Sequence, residues 1–279
     1  MMARSGAEMN TSDAELNVCA LLAVRNEELY LERCLEHLIA QNISICVIDN
    51  GSTDSSLEIA RRYLGHGVIR IVPYPFQGVY DWSGLLALKE TLAEEIDADW
   101  FLHHDADEIR YSERGSVESL QASIARADRE GFNAIDFDEF VFVPTSDSLD
   151  NCGRDYVASM RYYYFFAPRP QHRVNAWKRQ PLRVDLLSGG GHRVHFEGLQ
   201  LSPRPLVLCH YPCLSPAHAE AKYGQRAYAP DELARGWHRL RQSWKTSRYT
   251  PPALEALSRV SADRRMDRTR PYQHHLFMT

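Results

Sequence analysis

The first hundred residues predict an α/β protein with a mostly parallel sheet and helices on both faces. Apolar runs of strand length recur at residues 17–24, 43–48, 68–72 and 100–104. Segments with apolar residues at helical spacing separate them. Strands alternating with helices need crossover connections, and those favour parallel neighbours.

Each helix has its own pattern. Residues 28–40 place Leu31, Leu35, Leu38 and Ile39 on one face. Residues 54–64 form the second helix, with Ser55 and Glu58 spaced as a capping box. Residues 82–96 put Leu85, Leu88, Leu92 and Ile96 on a common stripe. A further helix is expected over 116–130, ended by Gly131. The strand at 133–143 slips in phase: Ile135 and Phe137 alternate, and then Phe140 and Phe142 do. A bulge near Asp138 and Glu139 would account for the slip. Residues 144–215 are rich in Pro, Gly, Arg and Tyr, with short strands at 160–166 and 205–209. Residues 216–260 read as helical.

This gives one domain in four parts. A flexible N-terminus (1–16) precedes a first half of alternating strands and helices (17–115). A second, less regular half of the same domain (116–262) follows, and then a loose polar tail (263–279).

The chain has 279 residues, 44% hydrophobic and 25% charged, as in soluble globular proteins. No apolar run approaches the ~18 residues that span a bilayer. The polar N-terminus lacks the apolar core of a secretory signal, so a cytoplasmic location is expected. The six cysteines contain no CxxC pair and read as free thiols of a reducing compartment. Net charge is −5, but residues 1–150 hold 11 basic against 28 acidic side chains, and the remainder holds 21 against 9. Two oppositely charged halves that meet across a cleft can take both a metal ion and an anionic ligand. The arginines are scattered and the acidic half repels phosphate, so nucleic acid is not expected as a partner.

In parallel α/β sheets, ligands bind where strands end. Arg25, Asn26 and Glu27 follow the first strand. Asp49, Asn50, Gly51, Ser52, Thr53 and Asp54 follow the second. His104, Asp105, Ala106, Asp107 and Glu108 follow the fourth. Asp105 and Asp107 can converge once the chain turns, and two carboxylates suit Mg²⁺ or Mn²⁺, which also holds diphosphate oxygens. Asp49, closing an apolar strand, can accept hydrogen bonds from a ring N–H or from hydroxyls. Gly51 permits the tight turn, and Ser52, Thr53 or Asp54 can cap the next helix.

These segments together resemble a family 2 glycosyltransferase of the GT-A fold. Residues 48–54 are similar to its DDGSTD segment, with Asn50 in place of the second Asp. Residues 104–108 are similar to its DxD motif in the HxDxDE form of the soluble branch. The likeness is close over about residues 17–110. Gly189–Gly191 with His192, and His210, Tyr211 and Pro212 with Ser215 and Lys222, resemble that branch's later segments. The Gln-x-x-Arg-Trp signature of processive members is absent.

The resemblance implies a GT-A-like single domain with a C-terminal acceptor-side extension. It implies metal-dependent, inverting, non-processive transfer of a sugar from a nucleoside diphosphate sugar, a UDP-sugar first, to a glycan or small-molecule acceptor. Arg25, Glu27, Asp49, Asn50, Asp105, Ala106, Asp107 and Lys222 would bind the donor. Asp105, Asp107, His210 and His192 would hold Mn²⁺ or Mg²⁺. The general base would be Glu197, with Asp138 next and Glu139 and Asp185 behind them. The competing readings are a catalytically degenerate sugar-nucleotide-binding module and a metal-dependent phosphohydrolase.

Overall fold

The computed structural model describes residues 16–224, 226–237 and 249–276. The flexible start expected at 1–15, part of the helical stretch at 238–248, and the chain end at 277–279 lie outside the described residues.

The first sheet has the order β3-β2-β1-β4-β9-β6. Its strands are β1 (Val18–Val24), β2 (Ser44–Asp49), β3 (Val68–Pro73), β4 (Trp100–Asp105), β6 (Ala134–Ile135) and β9 (Ala176–Lys178). The first four are parallel, and β9 runs antiparallel to β4. The expected α/β class and its mostly parallel sheet are therefore observed. Buried strands of this kind read as continuous apolar runs because both faces are covered. In β1, Val18, Ala20, Leu22 and Val24 enter one core, while Cys19 and Leu21 enter the other. Helix α1 (Glu28–Ala40) supplies Leu31, Leu35 and Leu38 to the first core, and α3 (Trp82–Glu95) supplies Leu85, Leu86 and Leu92 to the second.

The second sheet runs β11-β8-β7-β10-β5, with β12 on β8. It comprises β5 (Glu108–Tyr111), β7 (Phe137–Phe142), β8 (Tyr162–Phe166), β10 (Leu206–His210), β11 (Ser258–Arg259) and β12 (Pro271–Tyr272). The chain passes from one sheet to the other between β4 and β5, through Asp105, Ala106 and Asp107. It does so again between β6 and β7, at Asp136. The second crossing corrects the expected bulge near Asp138 and Glu139. The phase slip arises because Ile135 pairs in the first sheet and Phe137 in the second. Asp136 anchors the step by accepting the Arg173 backbone N–H at 2.8 Å.

Two more expectations change. Helix α2 (Ser56–Arg62) lacks the capping box of Ser55 and Glu58. The Ser55 N–H is taken by Glu28, and Asp54 accepts the Ser56 N–H at 2.9 Å. The polar tail is docked rather than loose over 263–276. Met266 is buried in the first core, Tyr272 pairs with Phe166, and His275 stacks on Phe166 at 4.0 Å. Aromatic burial outweighs the tail's polar composition. Over 216–260, only short helical pieces form among the described residues, at Pro216–Ala219, Glu220–Gly224, Pro230–Ala234 and Leu254–Ala256.

Candidate active-site cleft

Sheet register brings the three acid-bearing loops together. Ala23 lies opposite Asp105, and Val24 opposite Asp49. The loops after β1 and β2 are then stitched to each other. Asn26, in the left-handed region at φ 55°, accepts the Thr53 N–H at 2.8 Å, and the Glu27 N–H donates to Ser56 at 2.8 Å. Arg25 latches the turn by donating to the carbonyls of Asn50 and Gly51 at 2.7 and 2.6 Å, with its guanidinium 3.4 Å above the Phe76 ring. Gly51 (φ 64°) is required there, since a Cβ would press on Phe76.

A cleft of about 650 Å³ opens beside this edge. Ala106 packs into the core, so its two neighbouring aspartates are left at the cleft. Glu108 holds their turn from beneath, accepting the Asp105 N–H and pairing with buried Arg110 at 2.6 Å. From across the cleft, Lys222, in a one-turn π-helix, reaches both Asp107 and Glu27 at 2.9 Å. Burial opposes the charge on Asp107, but Lys222 and His210 outweigh it and hold the carboxyl well below its usual range. Glu27 is pushed up, by burial first and by the Asp107 charge beside it, against the pull of Lys222.

His210 ends β10, and its pairing with β5 sets it opposite Glu108. Its Nδ1 lies 2.7 Å from Glu139 Oε1 and its Nε2 lies 3.7 Å from Asp107 Oδ2. Burial works against a charged ring here. The Asp107 and Glu139 carboxylates prevail and push His210 up to about 9. Glu139 is fully buried. It takes a two-pronged contact from Arg173 at 2.8 and 2.9 Å and has His172 Nε2 at 3.2 Å. Arg173 also donates to His192 Nδ1 at 2.8 Å.

The cleft floor carries a second group. Lys89 of α3 is completely buried and donates to His103 Nδ1 at 3.1 Å and to the His104 carbonyl at 3.2 Å. Burial lowers Lys89 to about 8, against the Asp105 and Glu108 charges. Burial and the nearby Lys89 hold His103 neutral, so its proton sits on Nε2 and the ring lines the cleft. Trp82 packs edge-on to His103, stacks with Tyr80 and donates to the Gly190 carbonyl at 2.9 Å.

The cleft thus gathers Arg25, Glu27, Asn50, Asp105, Ala106, Asp107, His192, His210 and Lys222. Asp49 sits just behind, accepting the Ser52 N–H. The two acids expected as general base are placed elsewhere. Glu197 is exposed, in the loop after residue 195, and does not line the cleft. Asp138 points to the other face of β7, where Arg268 binds it at 2.7 Å. Strand alternation turns its neighbour Glu139 inward instead. His192 is set apart from the expected metal group because Arg173, a cation, occupies its Nδ1. Arg173, Lys89, Trp82 and His103 belong to none of the sequence motifs that mark the site. Alternation along β4, which puts His103 on the same face as Asp105, was the available signal for His103.

Among the described residues, no cluster of three or more His, Cys, Asp or Glu side chains is arranged to hold a metal. A two-ligand site does fit. The Glu139 carboxylate can only accept, so when the His210 ring is neutral, as a metal ligand must be, its proton stays on Nδ1 and Nε2 is the nitrogen turned toward Asp107. This is the carboxylate–histidine support that metal-binding histidines use. Mg²⁺ and Mn²⁺ commonly take one or two protein ligands and fill the rest with substrate phosphates and water.

By fold and site, the chain is an α/β protein that presents a polar cleft at the carboxyl edge of a parallel sheet. The model of the family "Glycosyl transferase family 2" matches residues 19–129, so over that segment the chain is similar to that family. It is 30% identical over 95 residues to the lipopolysaccharide core biosynthesis glycosyltransferase LpsC of Rhizobium meliloti, covering 34% of this chain and 33% of that protein. It is 30% identical over 128 residues to the glycosyltransferase GlyA of Streptococcus pneumoniae, covering 42% and 17%. The chain therefore spans a third or less of these curated relatives. Among solved structures, Staphylococcus aureus TarS 1–349 in complex with UDP aligns with TM-score 0.44 and 13% identity, over 75% of this chain and 63% of that one. Mycobacterium tuberculosis glucosyl-3-phosphoglycerate synthase, with Mn²⁺, UDP and phosphoglyceric acid, aligns with TM-score 0.32 and 17% identity, over 60% and 57%. No described helix is long and apolar enough to cross a membrane.

Proposed function

We propose that this chain transfers a sugar from a nucleoside diphosphate sugar, a UDP-sugar first, to an acceptor hydroxyl, with inversion and one sugar per encounter. One observation carries the reading: Asp107 and His210 Nε2 face each other across 3.7 Å, beside Lys222, at the junction of the two sheets. Asp107 and His210 are the residues that would hold Mn²⁺ or Mg²⁺. Bound there, the ion would neutralise charge on the departing diphosphate. Lys222 adds a fixed cation: burial works against its charge, but Asp107 and Glu27 outweigh burial and keep it protonated. Asn50 donates to the Tyr74 carbonyl, and its Oδ1 has no partner among the described residues, which suits an acceptor for a base ring N–H. Asp49 supports that turn from behind. Trp82 and Tyr80 offer an aromatic face to a sugar ring, and His103 Nε2 offers a donor to a sugar hydroxyl.

The reading is tested by nucleotide release from UDP-, GDP- and dTDP-sugars with Mn²⁺. Release of UDP that is lost in excess EDTA and in Asp107→Asn is expected. Release indifferent to EDTA, or none from any donor, would overturn it.

A further inference from the structure

We propose that the acceptor carries an anionic group, a phosphate or a carboxylate, which docks on the wall facing Asp105 and Asp107. This rests on the sugar-transfer reading above and narrows its acceptor class. The wall is formed by residues 169–173 and 188–195, and three arginines line the cleft from it: Arg169, Arg173 and Arg193. Only Arg173 is neutralised, by buried Glu139, and that carboxylate is already shared with His210 and His172. Among the described residues, no carboxylate stands within 4.0 Å of Arg169 or Arg193. Asp136 acts on Arg193 from behind the wall, does not line the cleft, and is bonded to the Arg173 N–H.

Arg193 supplies the second observation. Its Nε is buried and has no hydrogen-bond partner among the described residues. A buried donor left unmade is costly, so an acceptor atom belongs there. A guanidinium fork matches the paired oxygens of carboxylate and phosphate. The donor's own diphosphate would meet its countercharges elsewhere, at Arg226, at Lys222 and at the ion that Asp107 and His210 would hold. Arg226 lies over Tyr80 at 4.4 Å and acts electrostatically on both Glu27 and Arg25, at the nucleotide end. The surplus positive charge on the opposite wall is thus left for the second substrate.

The test uses the full chain saturated with UDP and Mn²⁺, titrated calorimetrically with glucose 6-phosphate, glucuronate and glucose. At least one anionic sugar is expected to bind about tenfold or more tighter than glucose, the scale of a charge-assisted hydrogen bond. Whichever anion is preferred identifies the group. Arg193→Gln and Arg169→Gln should each erase most of that preference and leave UDP affinity unchanged. Equal binding of charged and neutral sugars, or no binding of either anion, overturns the proposal while UDP binding still supports sugar transfer. A matching loss of UDP affinity in the arginine variants assigns them to the donor and also overturns it. Failure of UDP to bind removes the sugar-transfer reading and this proposal with it.

Discussion

The two walls of the cleft are built by different means. The wall that bears Glu27, Asn50, Asp105 and Asp107 consists of strand ends, set by the register of four parallel strands. Its polar groups leave regular structure at fixed points, and backbone N–H groups and neighbouring loops hold them. The opposite wall comes from β7, β10 and irregular segments, and its groups hold one another: Glu139 with Arg173 and His210, and Arg173 with His192. Removing one member of a buried ion network leaves the others uncompensated, whereas a strand-end carboxylate can change while the sheet stays intact. The first wall should therefore respond to substitution in activity, and the second in folding.

The largest effect is expected at Asp107. Asp107→Asn should lower transfer by about 10²–10³-fold, the scale of one lost electrostatic contact to a reacting group. The urea midpoint should fall less than in a Glu139 variant, because Glu27 still neutralises Lys222 and Glu139 still supports His210. A variant that unfolds as easily as one at Glu139 would erase the contrast between the walls. Glu139→Gln, nearly isosteric, should destabilise the fold by about 3–5 kcal/mol. Chemical denaturation measures this, and a loss below about 1 kcal/mol would mean that the network is not what holds the second wall.

The same network predicts a pH dependence for the metal-free chain. The His210 pKa is raised in the folded state, from 6.5 to about 9. Its contribution is then complete below pH 6.5 and is lost as pH rises through about 9. The loss is on the order of 3 kcal/mol. Urea titrations across that window should show the decline, and His210→Gln should flatten it. The smallest effect is expected at exposed Glu197. Glu197→Gln should change stability by no more than about 0.5 kcal/mol and leave turnover as it was. A sharp fall in turnover would return Glu197 to the role of base.

The walls also differed in how far the sequence disclosed them. Val18–Val24, Ser44–Asp49 and Trp100–Asp105 are continuous apolar runs, so their ends, and the acids on those ends, could be located directly. Lys222 and His210 were reached through the family resemblance of residues 210–222. Glu139 was harder. The step at Asp136 moves the strand from one sheet to the other and resets which alternate residues face inward, so Asp138 seemed as well placed as Glu139. Glu197 drew notice through its Gly- and His-rich surroundings, but composition does not report which way a loop turns. Arg173 and Lys89 carry no local pattern. Their roles arise from contacts with residues 34 and 14 positions away.

The central claim is that Asp107 and His210, with a divalent ion, form the diphosphate end of a sugar-nucleotide site. Calorimetric titration of the chain with UDP, with and without Mn²⁺, tests it most directly. Mn²⁺ should strengthen UDP binding about tenfold or more, with the gain absent in Asp107→Asn and in His210→Gln. UDP binding of equal strength with and without Mn²⁺, or a Mn²⁺ gain that survives both substitutions, would contradict it.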